Sequence, residues 1–489
     1  MKKLHELNFD NSYARLPPAF YSRHVPVPLE QAHLVHFNAA AARLIDLDPE
    51  QATRPDFVDI LTGGSLLPGF QPLAMCYAGH QFGHYVSRLG DGRALLLGEV
   101  RNKQGEKWDL QLKGSGETGY SRGGDGRSVL RSAIREYLCS EAMHGLGIPT
   151  TRALCITGSR EDVYREQIET GAMLLRLAPS HVRFGTFEYF YYQQHFDELR
   201  ILADHVLEQH FSHLRETADP YLALLREVIA STARLIAGWQ AVGFAHGVMN
   251  TDNMSIHGIT LDYGPYGFLD RYQADFICNH SDHSGRYAFN RQPDVALFNL
   301  SCLAQTLLPL LDAHPEAAAE LAKAELAQYE AIFTDDYAAR MRAKLGLQES
   351  MPGDQALCAD LLSLMEENHV DYTLLFRTLS GPQPETARPL FRDPQACDAW
   401  LQRYQARQQA DPRSAQERSR SMEQVNPKYI LRNHLAEAVI RSAADDGDYS
   451  AIDRLMTVLQ TPFDEHPGME AWAAPPPDGA QAVQVSCSS

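Results

Sequence analysis

The sequence predicts an α+β protein with a strand-rich first lobe, a helical second lobe and a helical C-terminal extension. Residues 92–178 contain several apolar segments with strand-like patterns, joined by turns rich in glycine and polar residues. From about residue 185 onward, apolar residues recur mostly at helical spacing. The predicted boundaries are an N-terminal extension at 1–80, a first lobe at 81–180, a second lobe at 181–320 and an extension with tail at 321–489.

The first lobe begins with a predicted pair of strands within residues 92–113. An apolar run from Ala94 to Leu97 precedes the turn RNKQGE, and Trp108, Leu110 and Leu112 then alternate with polar residues. This pattern is typical of two strands joined by a tight connection. The segments TTRALCITGS and TGAMLLRLAP predict two further strands.

A glycine-rich connection, GSGETGYSRGGDGRS, separates these two strand pairs and leads into a helix predicted at about 128–145. Asp125 or Ser128 is expected to cap this helix. Glycines at 145 and 147, followed by Pro149, predict its end. The residues expected on its apolar face are Val129, Leu130, Ala133, Ile134, Tyr137, Leu138 and Met143.

The second half of the chain is predicted to be a series of helices, with a long one at about 219–242. The segments MSIH and ITLD flank Gly258 and indicate a small hairpin. The Pro- and Gly-rich end, 466–489, is expected to be extended. Further helices are predicted within 294–347, 354–376, 391–410 and 434–461.

Composition narrows the class of protein. The net charge of −18 disfavours a nucleic-acid partner, because phosphates would be repelled. Uninterrupted apolar runs stay well short of the roughly 18 residues that a membrane span needs, and the N-terminus lacks the apolar region of a secretory signal. The eight cysteines include no Cys-x-x-Cys pair, which argues against a disulfide framework or a zinc site. We therefore expect a cytoplasmic protein with neither nucleic acid nor membrane as partner, and we also expect a monomer.

Residues 246–265, HGVMNTDNMSIHGITLDYGP, resemble the active-site string of a protein kinase. Asn253 follows His246 at the spacing of the metal-binding Asn of kinases, and Asp262 opens an Asp-Tyr-Gly triplet. The position of the kinase catalytic Asp is occupied by Val248. Mg²⁺ or Mn²⁺ would suit an oxygen site made of an Asn and an Asp. A protein-kinase-like two-lobed fold is therefore predicted.

Other residues of the first lobe fit the same chemistry. Lys113 ends the second strand, where a kinase keeps its phosphate-binding Lys, and Glu136 lies on the inward side of the predicted helix, well placed to hold it. A Gly90-Asp91-Gly92 turn precedes the strand pair. Each feature alone is commonly a surface or turn residue. Together and in this order they predict a nucleotide site.

Several longer segments resemble the selenoprotein O family of kinase-like protein adenylyltransferases. They are YAGHQFGHYVSRLGDGRA (77–94), LQLKGSGETGYSRGGDGRSVLRSAIREYL (110–138), RFGTFEYF (183–190), HGVMNTDNMSIHGITLDYGPYGFLD (246–270) and NPKYILRN (426–433). The terminal CSS also matches the family, and the resemblance extends from about residue 10 to the last residue.

The resemblance implies transfer of AMP from ATP to Ser, Thr or Tyr hydroxyls of proteins, with UTP as an additional donor. It implies a flipped ATP whose α-phosphorus faces the acceptor, so that Val248 is no defect and Asp252 becomes the proton acceptor. Asn253 and Asp262 would bind the metal. An Asp close to two cations is expected to keep a low pKa. The nucleotide site implied by the family comprises Gly90, Gly92, Arg93, Lys113, Asp125, Gly126, Arg176, Arg183 and Asp262.

Two other functions remain open at this point. One is an ordinary kinase of a protein or small molecule, with Asp252 as its base. The missing Asp at position 248 disfavours it. The other is a non-catalytic pseudokinase scaffold, which the presence of both metal ligands disfavours.

A redox switch is a further hypothesis. Cys487 lies on the C-terminal tail, and Cys278 follows the Asp-Tyr-Gly triplet. A disulfide between them would tether the tail across the active site and, in a reducing cytosol, would be regulatory. The alternative is a free terminal thiol and a buried Cys278.

Overall fold

An antiparallel sheet of eight strands forms the centre of the first part of the molecule, in a computed structural model that describes residues 1–477, 483 and 485. Its main path runs β1-β3-β6-β7-β10-β9-β2, and β8 also pairs with β10. β4 pairs with β5 and β11 with β12 in two small ribbons. The strands are β1 Tyr21–Arg23, β2 His33–Phe37, β3 Leu73–Met75, β4 Gly79–Gln81, β5 His84–Val86, β6 Ala94–Arg101, β7 Lys107–Lys113, β8 Ser128–Val129, β9 Arg152–Tyr164, β10 Ile168–Ala178, β11 Phe244–Ala245 and β12 Gly267–Phe268.

Helices dominate the chain after β10. Three of the longer ones, α3, α6 and α7, carry extensive buried faces. The helices are α1 Ala39–Leu44, α2 Phe57–Thr62, α3 Leu130–Gly145, α4 Phe184–Tyr192, α5 Phe196–Gln209, α6 Pro220–Val242, α7 Gln292–Leu311, α8 Pro315–Leu326, α9 Tyr329–Lys344, α10 Asp354–Asn368, α11 Tyr372–Leu379, α12 Pro394–Gln408, α13 Ala415–Glu423, α14 Asn433–Asp445 and α15 Ser450–Gln460.

The position of α3 matters for the site described below. One side of α3 packs on β9 and β10, and α14 and α15 from the end of the chain also pack against it. Tyr137 of α3 donates or accepts a hydrogen bond with His36 of β2, whose other ring nitrogen contacts Asp453 of α15. The helix is thus fixed by elements from both ends of the sequence.

Most of the predicted elements are confirmed. The two strand pairs, the helix after the glycine-rich connection and the long helix near 219–242 all form. The capping prediction for α3 is wrong, because Val129 is the N-cap and Asp125 instead pairs with Arg165. The hairpin around Gly258 is reduced to a single bridge between Met254 and Thr260.

The segment Phe289–Leu311 is the one helical stretch of the described residues that is long and apolar enough to cross a membrane by length and composition. Its mean hydropathy is 1.4, and 50% of the window is buried inside the protein. α7, which makes up most of it, packs against α4, α6 and α8. A core helix of a soluble protein has the same properties.

Residues 1–80, predicted as an N-terminal extension, contribute β1, β2 and β3 to the same sheet as β6 and β7. One face of this sheet is covered by an apolar cluster that includes Ala41, Phe57 and Ile60 from the N-terminal segment. The four boundaries given above stay predictions.

Candidate nucleotide and catalytic site

Strand alternation places two cations of the site on one face of the sheet. Successive side chains of a strand point to opposite faces. Leu110 and Leu112 of β7 pack into the cluster on the N-terminal side, so Gln111 and Lys113 point the other way. β10 pairs antiparallel with β7 and sets Arg176 directly opposite Gln111. Arg176 Nη2 donates to Gln111 Oε1, which fixes the guanidinium above the sheet.

Glu136 of α3 joins these two cations. Its side chain is only 1% exposed. Lys113 Nζ donates to Oε2 of Glu136, and Arg176 Nη1 donates to Oε1 at 2.9 Å. The predicted ion pair between Lys113 and Glu136 is thus present in the structure, and it includes Arg176 as a third member.

Asp262 completes this charge network from the loop after the Met254–Thr260 bridge. Its Oδ1 lies 3.4 Å from Lys113 Nζ and 3.0 Å from Arg176 Nη1. Burial acts to raise the pKa of Asp262, but the positive charges of Lys113, Arg176 and Arg183 hold it well below its usual range. Asp262 is therefore ionised.

Arg183 occupies the N-cap position of α4 and reaches the turn at Thr251–Asn253. Its Nη1 donates to the backbone carbonyl oxygen of Asp252 at 2.7 Å. The guanidinium lies over the ring of Tyr77 at 4.8 Å from the centroid and 4.0 Å from Asp91 Oδ1. Arg183 is buried, and these contacts hold its guanidinium beside Asp252.

Asp252 lies in a short 3₁₀ turn, Thr251–Asn253, and is 8% exposed. Gln81 Nε2 donates to Asp252 Oδ2 at 3.3 Å. Asp252 Oδ1 is buried and has no hydrogen-bond partner among the described residues. Burial raises the pKa of Asp252 to about 6, and the opposing charge of Arg183 does not cancel this effect. The expectation of a low pKa for this carboxyl is therefore wrong, because burial outweighs the nearby cation.

Asn253 and Asp262 offer a donor set that fits a hard divalent cation. Asn253 Nδ2 donates to the backbone carbonyl of Val248 at 3.1 Å. This contact uses the amide nitrogen and leaves Asn253 Oδ1 available as a ligand oxygen. Together with the ionised Asp262, it supplies the oxygen chemistry that Mg²⁺ and Mn²⁺ prefer.

The predicted glycines lie where two loops meet. A Cβ on Gly90 would come within 2.3 Å of the Tyr120 ring, and one on Gly92 would come within 2.8 Å of the Tyr120 carbonyl oxygen. Gly126 has φ +66°, and a Cβ there would lie 2.0 Å from the Gly116 carbonyl oxygen. These positions therefore require glycine for close backbone approach. They hold the 90–92 turn and the 114–126 loop together.

Arg93 and Asp125 lie outside the ion pairs that Glu136 and Asp262 make. Arg93 is exposed, although its charge helps to lower the pKa of Asp262. Asp125 forms a bidentate salt bridge with Arg165, with hydrogen bonds of 2.8 and 2.9 Å. Hydrogen bonding to Arg165 lowers the pKa of Asp125. The structure thus gives Asp125 a partner outside the charge network.

Sequence reasoning missed several polar residues that support the site. Asp91 and Gln111 were passed over because one lay in an apparent turn and the other in an alternating strand. Both are buried, and Gln111 Nε2 donates to Asp91 Oδ2 at 3.3 Å. Gln81 and Glu188, which contact the turn at Thr251–Asn253, were also missed. In the sequence, the polar residues of β7 look like the solvent-facing side of an alternating strand, whereas the structure buries them.

The redox hypothesis concerns a buried thiol. Cys278 is 8% exposed, and its Sγ donates to the Pro265 carbonyl oxygen at 2.8 Å. Burial raises the pKa of this thiol to about 12. Cys487 lies outside the described residues. Val485, which is described, pairs with Asn279 next to Cys278 and accepts a hydrogen bond from the backbone N–H of His280 at 3.0 Å.

Comparison with known proteins places the chain in a family. The family model described as "Protein adenylyltransferase SelO" matches residues 3–460. Relatives from Myxococcus xanthus, Thioalkalivibrio sulfidiphilus and Thiobacillus denitrificans are 55%, 57% and 54% identical, over 100% of this chain and 100% of each relative. All three are named "Protein nucleotidyltransferase YdiU". These matches confirm the resemblance seen in the sequence motifs: the chain belongs to the SelO family of protein adenylyltransferases.

Proposed function

We propose that this protein transfers AMP from ATP to hydroxyl side chains of protein substrates and releases pyrophosphate. The observation that supports the proposal is the buried charge network of Lys113, Arg176, Glu136 and Asp262. Two cations held by two carboxylates form a site suited to polyphosphate. Family membership supports adenylyl transfer as the reaction.

The nucleotide is proposed to lie against the cations in a flipped orientation within a kinase-like two-lobed fold. Lys113, Arg176 and Arg183 would bind the phosphates, and the turn at 90–92 and the loop ending at Gly126 would line the rest of the nucleotide. Arg93 and Asp125 are proposed as further contacts. Guanidinium forks and an ammonium group are the usual partners of phosphate oxygens.

The proton transfer is assigned to Asp252. The acceptor hydroxyl gives its proton to the carboxylate, and its oxygen forms a bond to the α-phosphorus. The bond from the α-phosphorus to the bridging oxygen breaks, and pyrophosphate leaves with the electron pair. A pKa of about 6 makes Asp252 a better base than an ordinary aspartate, because a base works best with a pKa near the working pH.

A divalent cation, Mg²⁺ or Mn²⁺, is proposed to be held by Asn253 and Asp262. Such an ion, when bound, neutralises phosphate charge and favours departure of pyrophosphate. The remaining parts of the proposal are UTP as an additional donor, and a cytoplasmic monomer that acts on neither nucleic acid nor membranes.

The test uses ATP labelled separately at the α and γ positions, with intact-mass analysis of a labelled acceptor protein. We expect α label and a mass gain of one AMP. If Asp252 acts as the base, Asp252→Ala should slow transfer by roughly 10²–10⁴-fold. Lys113→Ala should lower activity because it weakens binding of the polyphosphate. A gain of one phosphate would instead establish a kinase, and no transfer of either label under any condition would favour a scaffold.

A further inference from the structure

The β4–β5 ribbon packs directly on the turn that carries Asp252. A Cβ on Gly79 would come within 2.5 Å of Asp252 Oδ1, so glycine is needed for the carboxylate to lie against β4. The backbone N–H of His80 donates to Thr251 Oγ1 at 2.6 Å, and the backbone N–H of Phe82 donates to Oδ1 of Asn250, the N-cap of the turn, at 3.4 Å. The ribbon therefore contacts the turn through successive residues and cannot shift without moving it.

A buried carboxylate links the ribbon to the turn. Glu188 of α4 has a fully buried side chain. Both of its oxygens lie 3.2 Å from His80 Nδ1, and Oε2 also accepts a hydrogen bond from the Thr251 hydroxyl at 3.0 Å. Because a buried carboxylate that loses a partner is costly, Glu188 holds the ribbon and the turn in one arrangement.

Gln81 is the only described side chain that donates a hydrogen bond to the carboxylate of Asp252. It binds Oδ2 and leaves Oδ1 buried and without a partner among the described residues. Building on the proposed function, we propose that Gln81 is a positioning residue, which holds the Asp252 carboxylate in the orientation in which it accepts the proton of the acceptor hydroxyl.

The chemistry supports this positioning role. A carboxylate can rotate about its Cβ–Cγ bond, and a base that must accept a proton along one direction works best when that rotation is stopped. An amide N–H on one oxygen stops it without supplying a charge. A leucine at position 81 keeps similar bulk but has no donor. A glutamate keeps the shape and sets a second carboxylate against Asp252.

The first experiment compares steady-state adenylylation by Gln81→Leu, Gln81→Glu and wild type. We expect kcat to fall by roughly 10–100-fold in Gln81→Leu, since misplacement of a reacting group has effects of this size. The fall should be larger in Gln81→Glu. KM for ATP should stay within about twofold, because Gln81 contacts the base and none of the phosphate-binding cations. His84→Ala is the matched control. It lies on the same ribbon with an exposed side chain, and it should behave as wild type.

The second experiment combines Gln81→Leu with Asp252→Ala. If Gln81 acts through Asp252, the double variant should be no slower than Asp252→Ala alone, because effects of residues that act as a unit are not additive. A further loss equal to that of Gln81→Leu in the wild-type background would overturn the inference and make Gln81 a structural residue. Wild-type kcat in Gln81→Leu, with Asp252→Ala impaired, would also overturn it and leave the proposed function intact. Wild-type activity in Asp252→Ala would reject Asp252 as the base and the inference with it.

Discussion

Replacing Glu136 with glutamine tests the charge network at its least exposed member. Glu136→Gln keeps the shape of the side chain but removes the negative charge between Lys113 and Arg176, and it turns an N–H toward one of them. Removing one partner of a buried ion pair costs about 3–5 kcal/mol. Asp262 remains at 3.4 and 3.0 Å from the two cations. We therefore expect the free energy of unfolding to fall by the lower end of that range, about 3 kcal/mol.

The same substitution should impair the reaction. Lys113 and Arg176 would no longer be held at the positions where the polyphosphate is proposed to bind. If most of the lost interaction is expressed in the transition state, kcat/KM should fall by roughly 10²-fold, since each 1.36 kcal/mol corresponds to a factor of ten. The assays are urea denaturation, compared at equal m values, and transfer of α label from ATP to an acceptor protein.

Glu141→Gln is the matched control for this prediction. Glu141 lies on the same helix, has a fully buried side chain and binds Arg152 at 2.6 and 2.7 Å, away from the proposed site. It should lose similar stability but keep near wild-type transfer at a temperature where both variants are folded. Equal loss of transfer in the two variants would mean that instability explains the effect. Wild-type transfer in Glu136→Gln would refute the functional reading of the network.

Three further outcomes are expected. Asp262→Ala should abolish transfer at every concentration of Mg²⁺ or Mn²⁺ while leaving the circular dichroism spectrum unchanged, and wild-type activity would exclude it as a metal ligand. Arg432→Leu should lower the free energy of unfolding by about 3–5 kcal/mol, because a buried guanidinium then leaves two carboxylates without their partner. Arg441→Ala is the control for Arg432→Leu. It removes only an exposed ion pair within a helix and should change the free energy of unfolding by less than about 0.5 kcal/mol. Equal urea midpoints for these two variants would contradict the argument. Peptide mapping after oxidation should find Cys278 joined to Cys487, with transfer restored by reductant. A Cys487 that pairs with nothing, or activity indifferent to reductant, would reject the switch.

Strand and helix periodicity predicted much of the fold correctly because it reports burial directly. The alternation at Leu110 and Leu112 identified β7, and the helical spacing of apolar residues identified α3 and α6. The cap of α3 was wrong because Asp125 has a stronger competing partner in Arg165, which is 40 residues away in sequence. The reduced hairpin at Gly258 likewise reflects tertiary contacts. Thr260 pairs with Thr150 as well as with Met254.

The site could be predicted where charged residues occur in the same order and at similar spacing as in protein kinases. Lys113, Glu136 and Asp262 are brought together as their spacing suggested. The residues that hold the site in place were not predictable, because Gln81 and Glu188 come from elements separated by more than 60 residues from the turn they contact. The pKa of Asp252 was misjudged for a related reason. A neighbouring cation can be inferred from sequence order, whereas near-complete burial depends on how β4 and α4 close over the turn.

Helices α14 and α15, near the C-terminus, support the site through α3. α14 and α15 pack on α3, the helix that carries Glu136, and β9 and β10 also pack on it. Arg135, the residue before Glu136, lies 4.5 Å from the ring centroid of Tyr266 and donates to its carbonyl oxygen at 3.2 Å. Tyr266 follows the Asp-Tyr-Gly triplet, so α3 is also tied to the loop that carries Asp262. Glu136 and Asp262 therefore approach the same two cations from elements that are fixed to each other, which keeps two buried positive charges paired before any nucleotide binds.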